Sequence, residues 1–108
     1  MTVLVAGDDM VLAVALKKDG AAFAIAAGAT VKAALISQDR KRLLCGPVTC
    51  SNDAFGADWP NSLVMVLFPS AATSAITEFK PALLEIEVHD GGKLTWFADV
   101  KIVNGKIT

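Results

Sequence analysis

Residues 10–20 read Met-Val-Leu-Ala-Val-Ala-Leu-Lys-Lys-Asp-Gly and carry the clearest secondary-structure pattern of the chain. The larger apolar residues take every second position, with valine, alanine and lysine between them. This is the period of a β-strand that buries one face. The run ends at Asp19-Gly20, a pair typical of hairpin turns because glycine adopts positive φ at little cost. The stretch therefore predicts a strand that leads into a tight turn.

The same signals recur along the rest of the chain. A rival interpretation makes residues 10–18 and 21–32 helical because alanine favours helices, but Gly20, Gly28 and the β-branched residues oppose it. Short strands separated by turns, with no crossover helix, favour an all-β antiparallel sandwich over a parallel sheet. Further strands are predicted at 29–37, 62–68, 84–88 and 94–103, and a turn at Asn104-Gly105.

Three segments are less regular. Residues 43–50 are interrupted by Gly46-Pro47. Because proline cannot donate to a sheet ladder, we expect an edge or bulged strand there. Residues 51–61 are rich in Asn, Asp, Gly and Pro and predict a long loop. Residues 69–76 predict a short helical turn with Ser70 as its cap.

Composition places the chain among single globular domains. It has 108 residues, of which 54% are hydrophobic, but eighteen of those are alanines. The longest apolar runs, 21–27 and 63–68, fall far below the roughly 18 residues that span a bilayer. The first residues lack the basic segment of a secretory signal. We therefore expect one domain over residues 1–108 and no membrane span.

Charge and residue usage argue against most catalytic and nucleic-acid-binding classes. The formal net charge is −1, and the only basic cluster in the sequence is Arg40-Lys41-Arg42, preceded by Asp39. A nucleic-acid-binding surface usually has a stripe of basic residues interleaved with aromatic ones, so we interpret the cluster as a solvated turn. One histidine and no tyrosine leave little material for a histidine metal site or an acid–base pair.

The two cysteines, Cys45 and Cys50, are separated by four residues. This spacing matches neither zinc ribbons nor thioredoxin-type sites. In a regular strand the two side chains would point to opposite faces, unless Gly46-Pro47 bends the chain. We expect buried free thiols, as in a protein of a reducing cytoplasm.

Acidic residues offer two candidate sites. Gly7-Asp8-Asp9 brings two carboxylates together, but calcium takes six to eight oxygens, so we favour a polar turn. Glu85 and Glu87 share one face of a strand that His89 follows. Since neither a cleft nor a nucleophile motif is predicted, we favour a solvated face paired with a neighbouring lysine, Lys93 or Lys101, over catalysis.

Three aromatic residues are the candidate interaction surface: Trp59 in the long loop, and Trp96 and Phe97 in the last long strand. Adjacent residues of a strand face opposite sides, so we expect one of Trp96 and Phe97 to lie outside the core. An exposed aromatic together with Trp59 is typical of a protein interface or of a sugar-stacking surface. We favour the interface, because a carbohydrate platform usually carries several aromatics and tyrosine is absent.

The order of turn and strand markers is also informative. Glycine-containing turns and alternating strands follow one another over nearly the whole chain, in the segments Gly7-Asp8, Lys18-Asp19-Gly20, Ala27–Ala33, Leu63–Leu67, Leu84–Val88, Asp90-Gly91-Gly92, Val100–Val103 and Ile107-Thr108. This order resembles small immunoglobulin-like (Ig-like) domains of bacteriophage tail and baseplate proteins. The resemblance implies an antiparallel Ig-like β-sandwich of about seven strands with one short helical turn.

The resemblance also implies a role. It points to a non-catalytic structural or adaptor protein of a phage or prophage tail or baseplate, a virion component assembled in the bacterial host cytoplasm. The expected partners are other virion tail proteins and further copies of the chain, without nucleic acid, membrane, cofactor, metal or small-molecule ligand. The alternative is a carbohydrate- or host-surface-binding module on the same sandwich, using Trp59 and the exposed member of Trp96 and Phe97.

Overall fold

The computed structural model describes residues 2–52, 56–76 and 80–104. Within these ranges the chain is all-β, as predicted, with one helix (α1, Ser70–Thr73) and one 3-10 turn (Trp59–Asn61). Neither is long enough to cross a membrane, and no helix that could do so occurs in the described residues. The strands are β1 (Thr2–Ala6), β2 (Met10–Ala15), β3 (Lys17–Lys18), β4 (Ala21–Ala22), β5 (Thr30–Ser37), β6 (Leu43–Cys50), β7 (Leu63–Phe68), β8 (Pro81–His89) and β9 (Lys93–Asn104).

The strands form one large sheet, one small sheet and a hairpin. The large sheet has the order β1-β9-β8-β5-β6, the small sheet pairs β2 with β7, and β3 pairs with β4. Every pairing is antiparallel except that of β1 with β9, which is parallel. The prediction of a wholly antiparallel arrangement is therefore wrong for this pair. The first and last strands share no tight turn, so nothing in the connection obliges them to run in opposite directions.

The inward faces of the large and small sheets contribute to one hydrophobic core. The alternation predicted from residues 10–20 is confirmed, since Met10 and Leu12 are buried while Val11 between them is 50% exposed. The predicted hairpin turn is also confirmed, with positive φ at both Asp19 and Gly20. The fully buried side chains of the core come from both sheets and include Leu35, Val64, Val66, Phe68, Leu84, Ile86, Val100 and Ile102.

Strand β6 is the bulged edge strand that Gly46-Pro47 predicts. Its pairing with β5 shifts register, because Ala33 lies opposite Val48 whereas Leu35 lies opposite Cys45. Two residues on β5 thus correspond to three on β6, which is the signature of a bulge. The extra residue cancels the odd spacing of the cysteines, so both Cys45 and Cys50 turn to the core.

The predicted helical turn is present, but its cap differs from the expectation. Pro69 occupies the cap position and Ser70 is the first helical residue, so the prediction of Ser70 as the cap is wrong. Instead, the carboxylate of Asp9 accepts the backbone N–H of Ser70 at 2.7 Å. A residue 61 positions earlier in the sequence thus pairs one of the free N–H groups of the first helical turn.

Residues 53–55 of the predicted loop at 51–61 lie outside the described residues, as does Gly105 of the predicted turn at Asn104-Gly105. The described end of the loop contains the 3-10 turn and a β-bridge between Asp58 and Leu63. The backbone of this turn also accepts an N–H from Ile25, at the carbonyl of Trp59. The loop is therefore fastened to the segment that follows the β3–β4 hairpin.

Candidate interaction surface

Trp59 does not lie on the surface of the single chain. It is 3% exposed and belongs to the hydrophobic core. Its indole Nε1 and the hydroxyl of Ser62, at the end of the same 3-10 turn, are buried without a hydrogen-bond partner. Trp59 thus anchors the loop by burial of its ring and does not contribute to an exposed aromatic patch.

Trp96 and Phe97 point to opposite faces of β9, as predicted. The half-buried ring of Trp96 packs against the core and meets Phe23, with the ring centroids 5.0 Å apart. Its Nε1 donates to the carbonyl oxygen of Lys17 at 2.9 Å. Trp96 therefore ties the last strand of the large sheet to the β3–β4 hairpin, which is a structural role.

Phe97 is the exposed member of the pair, with 39% of its surface accessible. It lies on the outer face of the large sheet, opposite Glu85 of β8. The guanidinium carbon of Arg40 lies 4.0 Å above the centre of the ring. This cation–π contact covers part of the aromatic face and holds the β5–β6 turn against the sheet.

The outer face of the large sheet also carries aliphatic residues beside Phe97. Leu83 of β8, Ile36 of β5 and Leu43 of β6 form one row across the three strands. Leu43 is 58% exposed, whereas Ile36 is only 9% exposed. Next to this row is a shallow groove of about 260 Å³ lined by Lys32, Ala34, Leu43, Pro47, Glu85 and Glu87.

The outward face of the small sheet is wholly apolar. It consists of three cross-strand pairs between β2 and β7. Sheets that face water on one side usually alternate apolar and polar residues, and this face lacks the polar half of that pattern. Its members are Val11, Ala13, Ala15, Leu63, Met65 and Leu67, which we call the small-sheet face.

The Gly7-Asp8-Asp9 turn, which precedes β2, is hydrogen-bonded to α1, and we call these bonds the clasp. The hydroxyl of Thr73, which is fully buried, donates to the carbonyl of Asp8 at 2.6 Å and accepts the backbone N–H of Gly7 at 3.1 Å. With the bond from Ser70 to Asp9, three hydrogen bonds fix the turn. No cluster of three or more metal-ligating side chains occurs in the described part of the chain.

The acidic pair on β8 takes part in ion pairs at the strand end. Glu87 lies 3.1 Å from Nε2 of His89 and 3.6 Å from Nζ of Lys93, so the predicted pairing with Lys93 is confirmed. The hydrogen bond to His89, with the positive charge of Lys93, holds the pKa of the Glu87 carboxyl below its usual value. These contacts describe a solvated, charge-paired strand face.

The basic cluster forms the turn between β5 and β6, as interpreted from the sequence. The carboxylate of Asp39 accepts the hydroxyl of Ser37 and the backbone N–H of Lys41, and these bonds lower the pKa of Asp39. The backbone of Arg42 pairs with that of Ser37 across the turn. The turn is thus ordered by hydrogen bonds between residues at most five positions apart.

Both cysteines are free and buried, as predicted. Their partners on β5, Leu35 and Val31, are four residues apart, which corresponds to about 13 Å along a strand. A disulfide requires Cα atoms within about 7 Å, so this pair is not poised to form one. Burial raises the pKa of Cys50 to about 11, which keeps the thiol protonated.

Comparison with known proteins gives no further guide to the site: no protein-family model matches the chain, and no curated protein is significantly similar to it. The surface therefore has to be judged from its own chemistry. Sequence reasoning selected aromatic residues and missed the small-sheet face. The signal for it was present, since Val11, Ala13 and Ala15 occupy the outward positions of residues 10–16 without any charge.

Proposed function

We propose that this chain is a non-catalytic Ig-like domain that serves as a structural or adaptor component of a phage or prophage tail or baseplate. It acts through protein–protein contacts with other virion tail proteins and is assembled in the bacterial host cytoplasm. The observation that carries the proposal is the small-sheet face, where six apolar residues replace the polar residues of a solvated surface.

The strand order supports the Ig-like part of the proposal. The sequence β9-β8-β5-β6 corresponds to the order G-F-C-C′ of variable-type Ig domains, and the pair β2-β7 corresponds to strands B and E. The chain lacks the tryptophan and the paired cysteines that antibody domains place on strands C, B and F, since β2, β5 and β8 contain neither residue. An Ig-like arrangement here rests on topology and core packing.

The phage assignment is supported by the order of sequence landmarks, from Gly7-Asp8 to the closing strand. A structural role agrees with the contacts of the titratable groups, which belong to turns and ion pairs. It also agrees with the formal net charge of −1, which does not oppose the association of many copies.

The carbohydrate-binding alternative has less support. It relied on Trp59 and an exposed aromatic, but Trp59 is buried and Arg40 covers one face of Phe97. The ring of Trp96 packs on Phe23. These contacts leave no pair of open aromatic faces among the three candidate residues.

The proposal is tested by following the chain into assembled particles. Particles purified after induction of the host that carries the gene should contain the chain in the tail fraction by mass spectrometry. Met65→Lys places a charge on the small-sheet face and should remove the chain from particles, while Ala24→Lys, at an exposed loop position, should not. Particles that lack the wild-type chain would overturn the proposal.

A further inference from the structure

Strand β2 presents a free and unprotected edge. It pairs with β7 in an unbroken register from Met10 opposite Phe68 to Ala15 opposite Leu63. No other strand among the described residues pairs with it. Natural edge strands are commonly guarded by lysine, proline or a bulge, and the six residues of β2 have none of these. The row of backbone donors and acceptors on this edge is therefore suited to pairing with another strand.

The charges at the two ends of β2 indicate which strand would fit. Asp8 and Asp9 precede the strand, and Lys17 and Lys18 follow it. All four residues are exposed, and the residues between them are uncharged. A second copy in the parallel direction would bring like charges together. A second copy in the antiparallel direction would place the acidic start of each strand against the basic end of the other.

One antiparallel register pairs opposite charges and also places core-facing residues opposite core-facing residues. When Ala13 lies opposite Ala13 of the second copy, Asp8 falls opposite Lys18 and Asp9 opposite Lys17. In the same register buried residues meet buried residues, since Met10 falls opposite Leu16, and Val11 meets Ala15 on the outward side. A shift by one residue would place core-facing side chains opposite outward ones.

We propose that the free edge of β2 is a homodimer interface, in which two copies of the chain pair antiparallel across a two-fold axis at Ala13. The partner it fits is a second copy of this chain, joined by strand addition in an isologous contact. The pairing makes a four-stranded sheet from β7 and β2 of each copy. It doubles the small-sheet face, and it rests on the proposed function in that it specifies one of the contacts of a structural protein.

Oxidative cross-linking tests the register. In the proposed dimer, residues that face each other across the axis have Cα atoms about 4.5–5.5 Å apart, which suits a disulfide. Ala13→Cys should therefore give a covalent dimer within minutes of mild oxidation. Ala15→Cys is the matched control: it is exposed on the same face, but its two copies would lie about 13 Å apart along the strands.

The native cysteines do not confuse this experiment, because both are buried. Wild-type protein under the same oxidation supplies the background. If Ala13→Cys cross-links no faster than Ala15→Cys, the proposed register is wrong. If neither variant cross-links above the wild type, the edge is not an interface.

Charge reversal tests the complementarity independently. The side chain of Asp8 is exposed and only its backbone carbonyl contacts Thr73, so Asp8→Lys leaves the clasp bonds in place. Asp8→Lys or Lys18→Asp alone should weaken the dimer by about tenfold, since each converts two symmetric attractive pairs into repulsive ones. The double variant should recover an affinity within about threefold of the wild type.

The measurement is sedimentation velocity at low salt, from about 10 µM to 1 mM, the range in which a small interface forms. Far-ultraviolet circular dichroism verifies that each variant is folded. A double variant weaker than either single variant, or a wild-type chain that stays monomeric at 1 mM, would overturn the inference. A monomeric chain that still enters particles refutes only the β2 dimer, whereas a dimer absent from particles refutes only the proposed function.

Discussion

Strands β2 and β6 are both edge strands, but only β6 has features that hinder pairing with a further strand. Strand β6 is bulged, contains Pro47, and borders a sheet face with charged residues such as Lys32 and Glu87. Strand β2 has a straight register and an outward face without charge. The same chain therefore carries a bulge and a proline, the usual protection against strand pairing, at one edge and lacks both at the other.

The largest expected effect on stability comes from a substitution at Gly46, in the bulge of the edge strand β6. This residue has a φ of +92°, and a Cβ there would lie 3.1 Å from the carbonyl oxygen of Ala33 and 3.3 Å from the ring of Phe68. Gly46→Ala should therefore lower the free energy of unfolding by about 3 kcal/mol, measured by urea denaturation. Gly28→Ala is the control, because nothing lies near that position. Equal midpoints for the two variants would contradict this account of the bulge.

The second-largest effect concerns the clasp, whose hydrogen bonds hold the turn that precedes β2. Thr73→Val keeps the shape of the side chain but removes the hydroxyl that joins Gly7 and Asp8 to α1. We expect a loss of about 2 kcal/mol in the free energy of unfolding, since two part-buried hydrogen bonds of about 1 kcal/mol each are removed. Ser74→Ala, which removes an exposed hydroxyl bonded to Ala71, should change the urea midpoint little. A midpoint of Thr73→Val close to that of wild type would show that the clasp is not stabilising.

A smaller effect comes from Cys50, on the core-facing side of β6. Because the pKa of Cys50 is about 11 in the folded chain against an ordinary value of 9.0, the unfolded chain loses its proton first as the pH rises. The stability of the wild type should therefore fall between pH 9 and 11, by about 1 kcal/mol at pH 10 from this group. Cys50→Ala should show a shallower alkaline fall in denaturation midpoints. An unchanged slope would mean that Cys50 ionises freely.

The smallest effect concerns the ion pairs of Glu87 on the outer face of the large sheet. The pKa of Glu87 is lowered by its hydrogen bond to His89 and by Lys93, so its contribution to stability is present above its ordinary pKa and is lost as the pH falls through the lowered value. Glu87→Gln should reduce the acid dependence of thermal unfolding below about pH 4.5, by less than about 1 kcal/mol. Glu85→Gln, on the same strand face, is the control. A variant as acid-sensitive as the wild type would contradict the assignment.

Much of the fold could be predicted from the sequence because local patterns encode it. The alternation in residues 10–16 and the Asp19-Gly20 turn act over a few residues, and both are reproduced in β2 and the β3–β4 hairpin. Gly46-Pro47 marked the edge strand for the same reason. The parallel pairing of β1 with β9 could not be predicted, because it joins strands about 98 residues apart and no local pattern encodes it.

The candidate site was less predictable than the fold. The opposite orientation of Trp96 and Phe97 follows from strand geometry, but the burial of Trp59 depends on a turn that folds over the core. The contact of Arg40 with Phe97 joins residues that are 57 positions apart in the sequence. The clasp through Thr73 likewise crosses 65 positions to reach Asp8. Such contacts arise from packing and leave no short motif.

The parallel pairing of β1 with β9 also has a mechanical consequence. A force that pulls outward on the Thr2 end of β1 and on the Asn104 end of β9 acts in opposite directions along two parallel strands. The inter-strand hydrogen bonds, from Thr2 opposite Val100 to Ala6 opposite Asn104, are then loaded together in shear. They cannot open one after another, as the bonds of a hairpin pulled from its open end would. This geometry resists tension along the chain.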